Sequence, residues 1–146
     1  NSKEAKQIIL RVSNEPYPRT FSISIEYLSE AKAVPRRCLQ YKTTPQGTIQ
    51  SFNYDGSPPM ALFDQEYTIC FKYLVGYCDV AFNFETLDLG SDSDYLRIGD
   101  DKVFNDSFDN PIMANATDPI YVNVRIGDSN EQQGEGFKAT YTMMGC

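Results

Sequence analysis

From Ile120 to Met143 the apolar residues fall on every second position, first Ile120, Val122, Val124 and Ile126, then Phe137, Ala139, Tyr141 and Met143. A period of two puts successive side chains on opposite faces of an extended chain. The pattern therefore predicts two half-buried antiparallel strands joined by the polar, acidic segment from Asp128 to Glu135. Similar runs predict strands near 47–52, 66–73, 77–84, 94–98, 120–126 and 136–143, with shorter ones around 39–42 and 103–104. Phe82 and Phe84 alternate with Ala81 and Asn83, so they are expected to face inward with Cys78 and Val80. Turn-forming residues punctuate these runs at Asp55-Gly56, Pro58-Pro59, Gly90-Ser91 and Asp109-Asn110-Pro111. Many short strands without a long helical period point to an all-β sandwich. The chain has no tryptophan, so its ten tyrosines and nine phenylalanines must supply much of the core.

At 146 residues the chain has room for one domain of ordinary size. Its net charge of −7 repels a phosphate backbone, and the linear sequence holds no basic stripe, which excludes nucleic acid as a partner. No apolar run is long enough to span a membrane. The first residues lack the pattern of a signal peptide, so Asn1 reads as a processed start. Four cysteines with no C-x-x-C spacing and no histidine fit two disulfides better than a metal site, which implies an oxidising, extracellular setting. The sequons Asn105-Asp106-Ser107 and Asn115-Ala116-Thr117 lie in polar, turn-rich segments and are candidate glycosylation sites.

Absence of histidine removes the Ser-His-Asp and Cys-His nucleophile systems and most catalytic zinc sites. Asp88, Asp92, Asp94, Asp100, Asp101 and Asp106 crowd one third of the chain and contain pairs that in principle could act as acid and base. Nothing in the sequence builds a substrate cleft around them, so they read as solvated loop carboxylates and the chain as non-enzymatic.

Residues 7–12 and 21–27 each alternate around a segment holding Asn14, Pro16 and Pro18, which predicts a hairpin within residues 1–30. Residues 31–37 read as a linker, because Pro35 opposes a helix running on into Cys38. The hairpin's apolar faces, Ile8/Leu10/Val12 and Phe21/Ile23/Ile25, require a sheet to join, from the rest of this chain or from a partner.

Gly47-Thr48-Ile49-Gln50-Ser51-Phe52-Asn53-Tyr54, Tyr67-Thr68-Ile69-Cys70, Asp94-Tyr95-Leu96-Arg97-Ile98 and the two tail strands, in this order and spacing, resemble a CUB domain. Cys38-Leu39-Gln40-Tyr41, Ser51-Phe52-Asn53-Tyr54 and Gln65-Glu66-Tyr67-Thr68-Ile69-Cys70 leading into Gly76-Tyr77-Cys78 are similar to secreted CUB-domain proteins of arthropods. The resemblance spans residues 38–146 and implies a jelly-roll β-sandwich of two antiparallel sheets. In those relatives the hairpin of residues 1–30 resembles the end of an upstream β-sandwich module.

The resemblance also implies calcium as the one candidate cofactor. CUB domains often hold this cation with carboxylates near one end of the sandwich, where oxygen ligands from loops suit it. Asp94 and Asp128 match two of the family's ligands. The third position, a glutamate after Phe-x-Leu in the family, is Gly90 in Leu87-Asp88-Leu89-Gly90, which leaves Asp88 or Asp92 as substitutes and solvated carboxylates as the favoured reading.

For the cysteines, the family's first bridge corresponds to Cys38–Cys70, which leaves Cys78 with Cys146. The competing arrangement joins Cys70 to Cys78 and Cys38 to Cys146, and the third, Cys38–Cys78 with Cys70–Cys146, has no independent support; sequence alone does not choose among them. The implied function is a secreted, non-enzymatic module that binds another extracellular protein or assembles with copies of itself. Alternatives are a processed regulatory fragment of a larger extracellular protease, with Arg36-Arg37 as a processing site, and a glycan-binding module.

Overall fold

The computed structural model describes residues 22–24, 34–55, 60–104, 111–115, 120–127 and 133–146. The chain divides into two compact units, Asn1–Lys32 and Ala33–Cys146. The hairpin expected over residues 7–27 lies outside the described residues except for Ser22–Ser24, which are exposed and outside any strand.

The second unit is built from nine described strands: β1 Cys38–Lys42, β2 Gln46–Gln50, β3 Gln65–Phe71, β4 Tyr77–Asp88, β5 Tyr95–Ile98, β6 Asp101–Val103, β7 Ile112–Asn115, β8 Tyr121–Ile126 and β9 Gly136–Gly145. They form a five-stranded sheet in the order β1-β3-β8-β5-β6 and a four-stranded sheet in the order β2-β9-β4-β7. The two tail strands lie in different sheets: β8 pairs with β3 and β5, and β9 with β2 and β4. The acidic loop between them thus crosses from one layer to the other instead of closing a hairpin. One pair departs from the antiparallel rule expected from the family, since β1 runs parallel to β3. Alternation reports which face a residue takes and carries no information on strand direction.

Alternation places the core as expected. Phe82, Val124 and Tyr141 are at most 1% exposed, and all eight apolar positions of the two tail strands are buried. Rings close the gap between the layers: Phe71 of β3 meets Phe82 of β4 edge-on at 5.5 Å and Tyr141 of β9 at 4.9 Å. Edge-to-face contact suits the opposite charge of ring edge and ring face. The Tyr141 hydroxyl reaches the rim, where it shares a 3.0 Å hydrogen bond with the Thr44 hydroxyl, so a large ring is buried without an orphaned polar group.

Two features escape the alternation rule. Strand β4 was expected to stop at Phe84, yet it runs to Asp88 because its register shifts between Phe84 and Thr86. The even-numbered Val80, Phe82 and Phe84 face the core before this irregularity, and the odd-numbered Leu87 and Leu89 face it afterwards. An extra residue resets a period of two, and that reset reads as the end of a strand in sequence. Strand β7 was not expected at all. Its four residues follow Pro111 and pair only with β4, with Ile112 and Ala114 inward. Cys78, expected inward with Val80, is half-buried at the start of β4, where it is bonded to Cys146.

Two disulfides complete the domain. Cys38–Cys70 joins the paired strands β1 and β3, and Cys78–Cys146 ties the start of β4 to the end of the chain. Their sequence separations of 32 and 68 residues make the second the stronger constraint on the unfolded chain in the loop-entropy picture, by roughly 0.7 kcal/mol.

Phe82→Ala is expected to lower the unfolding free energy by about 3–5 kcal/mol in a urea titration, because it removes a fully buried ring at the interlayer contact. Met113→Ala, on the exposed side of β7, is expected to stay within about 0.5 kcal/mol of the parent. Equal costs at the two positions would contradict the sandwich.

Candidate functional site

One end of the sandwich holds Asp94 and Asp88, two of the carboxylates singled out in the sequence. Asp94, just before β5, is 2% exposed, and its Oδ1 accepts the Gly127 backbone N–H at 2.7 Å, joining the start of β5 to the end of β8. Burial of a carboxylate is costly unless it is hydrogen-bonded, and this contact meets that need. Asp88 closes the other side: its Oδ1 accepts the Gly90 N–H at 3.1 Å and its Oδ2 the Glu135 N–H at 3.2 Å. Gly134 packs so closely on this turn that a Cβ there would overlap the Asp88 backbone and carboxylate. Nearby, the Ser51 hydroxyl accepts the Phe137 N–H at 3.1 Å while the Ser51 N–H donates to the Phe137 carbonyl at 2.9 Å, extending the β2–β9 pairing by one residue.

These positions test whether the residues fit calcium. Asp94 is held at the loop end as the family pattern requires. Asp88, by contrast, already uses both oxygens on backbone N–H groups. Gly90, at the position of the family's glutamate, has a φ of 96°, a conformation in which a side chain would be strained. Asp92 is exposed on the adjoining turn, and Asp128 lies outside the described residues. Among the described residues no three Asp, Glu, Cys or His side chains are grouped to hold a metal ion. Of the carboxylates expected to hold the cation, the described residues thus supply Asp94, with Asp88 already engaged by backbone N–H groups.

Asn115, one of the two sequon asparagines, is exposed at the end of β7, whereas Asn105 lies outside the described residues. The Arg36-Arg37 pair is exposed in a turn against β1, with Arg37 at a φ of 74°.

A second site was not legible in the linear sequence. The registers of the five-stranded sheet put Thr68 of β3 opposite Asn123 of β8, Asn123 opposite Arg97 of β5, and Arg97 opposite Lys102 of β6. All four sit on the solvent-facing side. Thr68 Oγ1 donates to Asn123 Oδ1 at 2.9 Å, and Lys102 Nζ lies 4.1 Å from the centre of the Tyr95 ring. In the next row Glu66 faces Arg125, which faces Tyr95. A hydrogen bond with the Tyr95 side chain, then the nearby Tyr95, Glu66 and Asp94 charges, raise the Arg125 guanidinium above its ordinary value. The fold thus assembles a basic face that no run in the sequence displays. By contrast, the outer face of the four-stranded sheet neutralises Lys138 with Glu85 at 2.8 Å. Beneath the basic face, burial pushes the Tyr67 hydroxyl well above the usual tyrosine range, so it stays protonated.

The model of the animal CUB domain matches residues 35–102. No curated protein sequence matches the chain. Among solved structures, the CUB1-EGF-CUB2 domains of rat MASP-1 superpose with a TM-score of 0.54 at 22% identity, covering 71% of this chain and 42% of that one. The MASP-1 CUB2 domain bound to Ca2+ gives a TM-score of 0.57 at 21% identity, covering 72% and 98%. The full extracellular region of zebrafish Gpr126/Adgrg6 gives 0.55 at 17% identity, covering 75% and 15%. The chain thus spans less than half of the rat fragment and a small part of the zebrafish region. Such identities show the fold alone, and the family match falls on the strands that carry both disulfide half-cystines Cys38 and Cys70 and the Asp94-Tyr95-Leu96 motif. Family match and two-sheet topology together lead to one conclusion: residues 35–102 match the animal CUB domain, and the strands of Ala33–Cys146 form a CUB-type β-sandwich.

Proposed function

We propose that the chain is a secreted, non-enzymatic module that binds another extracellular protein through its CUB domain. The observation that carries this reading is the division of labour between the faces. The inner faces are filled by apolar side chains, while the outer face of the five-stranded sheet presents charged and aromatic groups in register that are not needed to close the core. Polar and aromatic groups held on a rigid sheet are the composition of an interface. The two disulfides and the likeness to part of the extracellular region of zebrafish Gpr126/Adgrg6 support an extracellular setting. Among the described residues no helix is long and apolar enough to cross a membrane. Residues 1–30 are proposed as a β-hairpin that joins a partner's sheet, with 31–37 as the linker to the CUB domain. A processed fragment of an extracellular protease and a glycan-binding module remain the competing assignments, and the exposed Arg36-Arg37 turn is what favours the first of these.

Calcium is a second reading for the loop end, because the similar MASP-1 CUB2 structure is bound to that ion. In this chain Asp94 and Asp128 would be ligands, with Asp88 or Asp92 in place of the carboxylate absent at Gly90. The Asp88 hydrogen bonds weigh against it, since a cation would have to displace two backbone N–H groups from that carboxylate. Those bonds do structurally what a cation would do, tying the β4–β5 turn to the loop ahead of β9.

Three measurements check these readings. Native purification with crosslinking and intact mass is expected to recover the chain with an extracellular protein at fixed stoichiometry; a monomer without partner at micromolar concentration would retire the interaction reading. Deleting residues 1–30 is expected to remove the part of that association made by the hairpin while leaving the CUB domain folded and its outer face able to bind, and unfolding of residues 38–146 would instead place the hairpin in the domain's own core. Asp94→Ala is expected to cost about 1–3 kcal/mol, by orphaning the Gly127 N–H, equally in calcium and in chelator. Calorimetry at millimolar calcium should show no binding heat. A calcium-dependent rise in Tm that Asp94→Ala removes would restore the cation.

A further inference from the structure

The chain carries thirteen Lys and Arg against twenty Asp and Glu. Among the described residues, Arg36, Arg37, Arg97, Lys102 and Arg125 nevertheless share the outer side of one sheet, with Glu66 as the carboxylate in the paired rows. Asp100, in the β5–β6 turn, and Asp101, at the start of β6, bound the far side of Arg97. Among the described residues this face is therefore locally basic, in a chain whose net charge is −7.

The face is also shaped. Two hollows of ≈ 440 and ≈ 330 Å³ adjoin across the Thr68–Asn123 pair, and the Arg36-Arg37 turn walls them on the β1 side. Tyr95 and Arg97 line the first, and Tyr121 the second. Lys102 and Arg125 are engaged by Tyr95. Among the described residues no carboxylate pairs with Arg36, Arg37 or Arg97. Asn123 accepts the Thr68 hydroxyl through its Oδ1, which leaves its two amide donors for whatever occupies the hollows.

We propose that this face recognises a short acidic segment of another protein, with Arg97 and the Arg36-Arg37 turn gripping its carboxylates and Asn123 its backbone. The proposal rests on reading the chain as a protein-interaction module and specifies the partner's chemistry. Guanidinium groups bind carboxylates through paired, parallel hydrogen bonds. Four strand spacings, from the β1 edge to β6, amount to roughly 19 Å, the length of about six extended residues. That limit argues for a short segment. A long sulfated polymer would run past the face towards Asp100 and Asp101, in a chain whose net charge is −7. A second copy of this chain brings a net charge of −7 towards another −7.

The test uses the full 146-residue chain and amide chemical shifts read by NMR. The probes are an acetylated hexapeptide alternating Glu and Gly, its Lys-Gly counterpart, and a heparin tetrasaccharide. The Glu-Gly peptide is expected to give saturable shifts at Thr68, Arg97 and Asn123, weakened several-fold when salt rises from about 50 to about 300 mM. Arg97→Gln and Arg36→Gln should each raise its Kd about ten-fold, the loss of one charge-assisted pair. Lys138→Ala, on the other sheet, should leave it unchanged, and the Lys-Gly peptide should not bind.

Absence of shifts at these amides, or an affinity in both arginine variants unchanged from that of the parent chain, overturns the proposal. Tighter binding of the tetrasaccharide overturns it in favour of a sulfated glycan, and movement of the same signals with protein concentration alone overturns it in favour of a second copy. If the natively associated protein stays bound to Arg97→Gln with unchanged affinity, this face is not its docking site, while the interaction reading itself stands.

Discussion

The interlayer contact of Phe71 with Phe82 and Tyr141 is the constraint on which the rest of the domain depends. It brings β3 of one sheet against β4 and β9 of the other, and those are the strands through which each sheet is organised. Strand β3 carries β1 and β8, and β9 carries β2 and β4. Without tryptophan, these rings supply the bulk that spans the gap between layers, and their tilt sets how closely the layers approach. The disulfides act elsewhere, at the β1 edge and at the chain's end.

Given that packing, the loops at the carboxylate end must cross from one layer to the other. The crossing is secured by backbone N–H groups donated to side-chain oxygens: Gly127 to Asp94, Gly90 and Glu135 to Asp88, and Phe137 to Ser51. Each acceptor satisfies a main-chain donor that a strand end leaves without a ladder partner. Glycine at positions 90 and 134 permits the close approach, one by its backbone conformation and the other by having no Cβ to collide with Asp88. The same residues that weaken the case for calcium thus strengthen the loops directly. Loss of a family ligand and gain of an internal bond are two consequences of one local sequence, Leu87-Asp88-Leu89-Gly90.

The outer face of the five-stranded sheet follows a different logic. Its residues contribute little to the core, yet the registers that the core imposes also fix their order. Because Val122, Val124 and Ile126 must face inward, Asn123 and Arg125 must face outward. Pairing then sets Asn123 between Thr68 and Arg97, and Arg125 between Glu66 and Tyr95. Functional chemistry placed on such a face is rigid at no additional entropic cost, since the backbone is already ordered by the packing beneath it.

Sequence by itself determined which residues are inside. Alternation is a property of neighbours, so Phe82, Val124 and Tyr141 could be assigned to the core without knowing what they touch. It failed where neighbours mislead: at the β4 irregularity after Phe84, and at β7, whose four residues are too few to establish a period. Asp94 was legible as a loop-end carboxylate because a motif surrounds it, but not as the acceptor of a backbone bond from Gly127, 33 residues away. Tertiary structure alone decided among the three cysteine pairings, the parallel direction of β1, and the separation of β8 from β9 into opposite layers. It also decided that Arg36, Arg97 and Arg125, scattered in an acidic chain, share one surface. Each of these depends on which distant strands pair and in what register, and that choice is made by the free energy of the whole packed sandwich, which no local window of sequence contains.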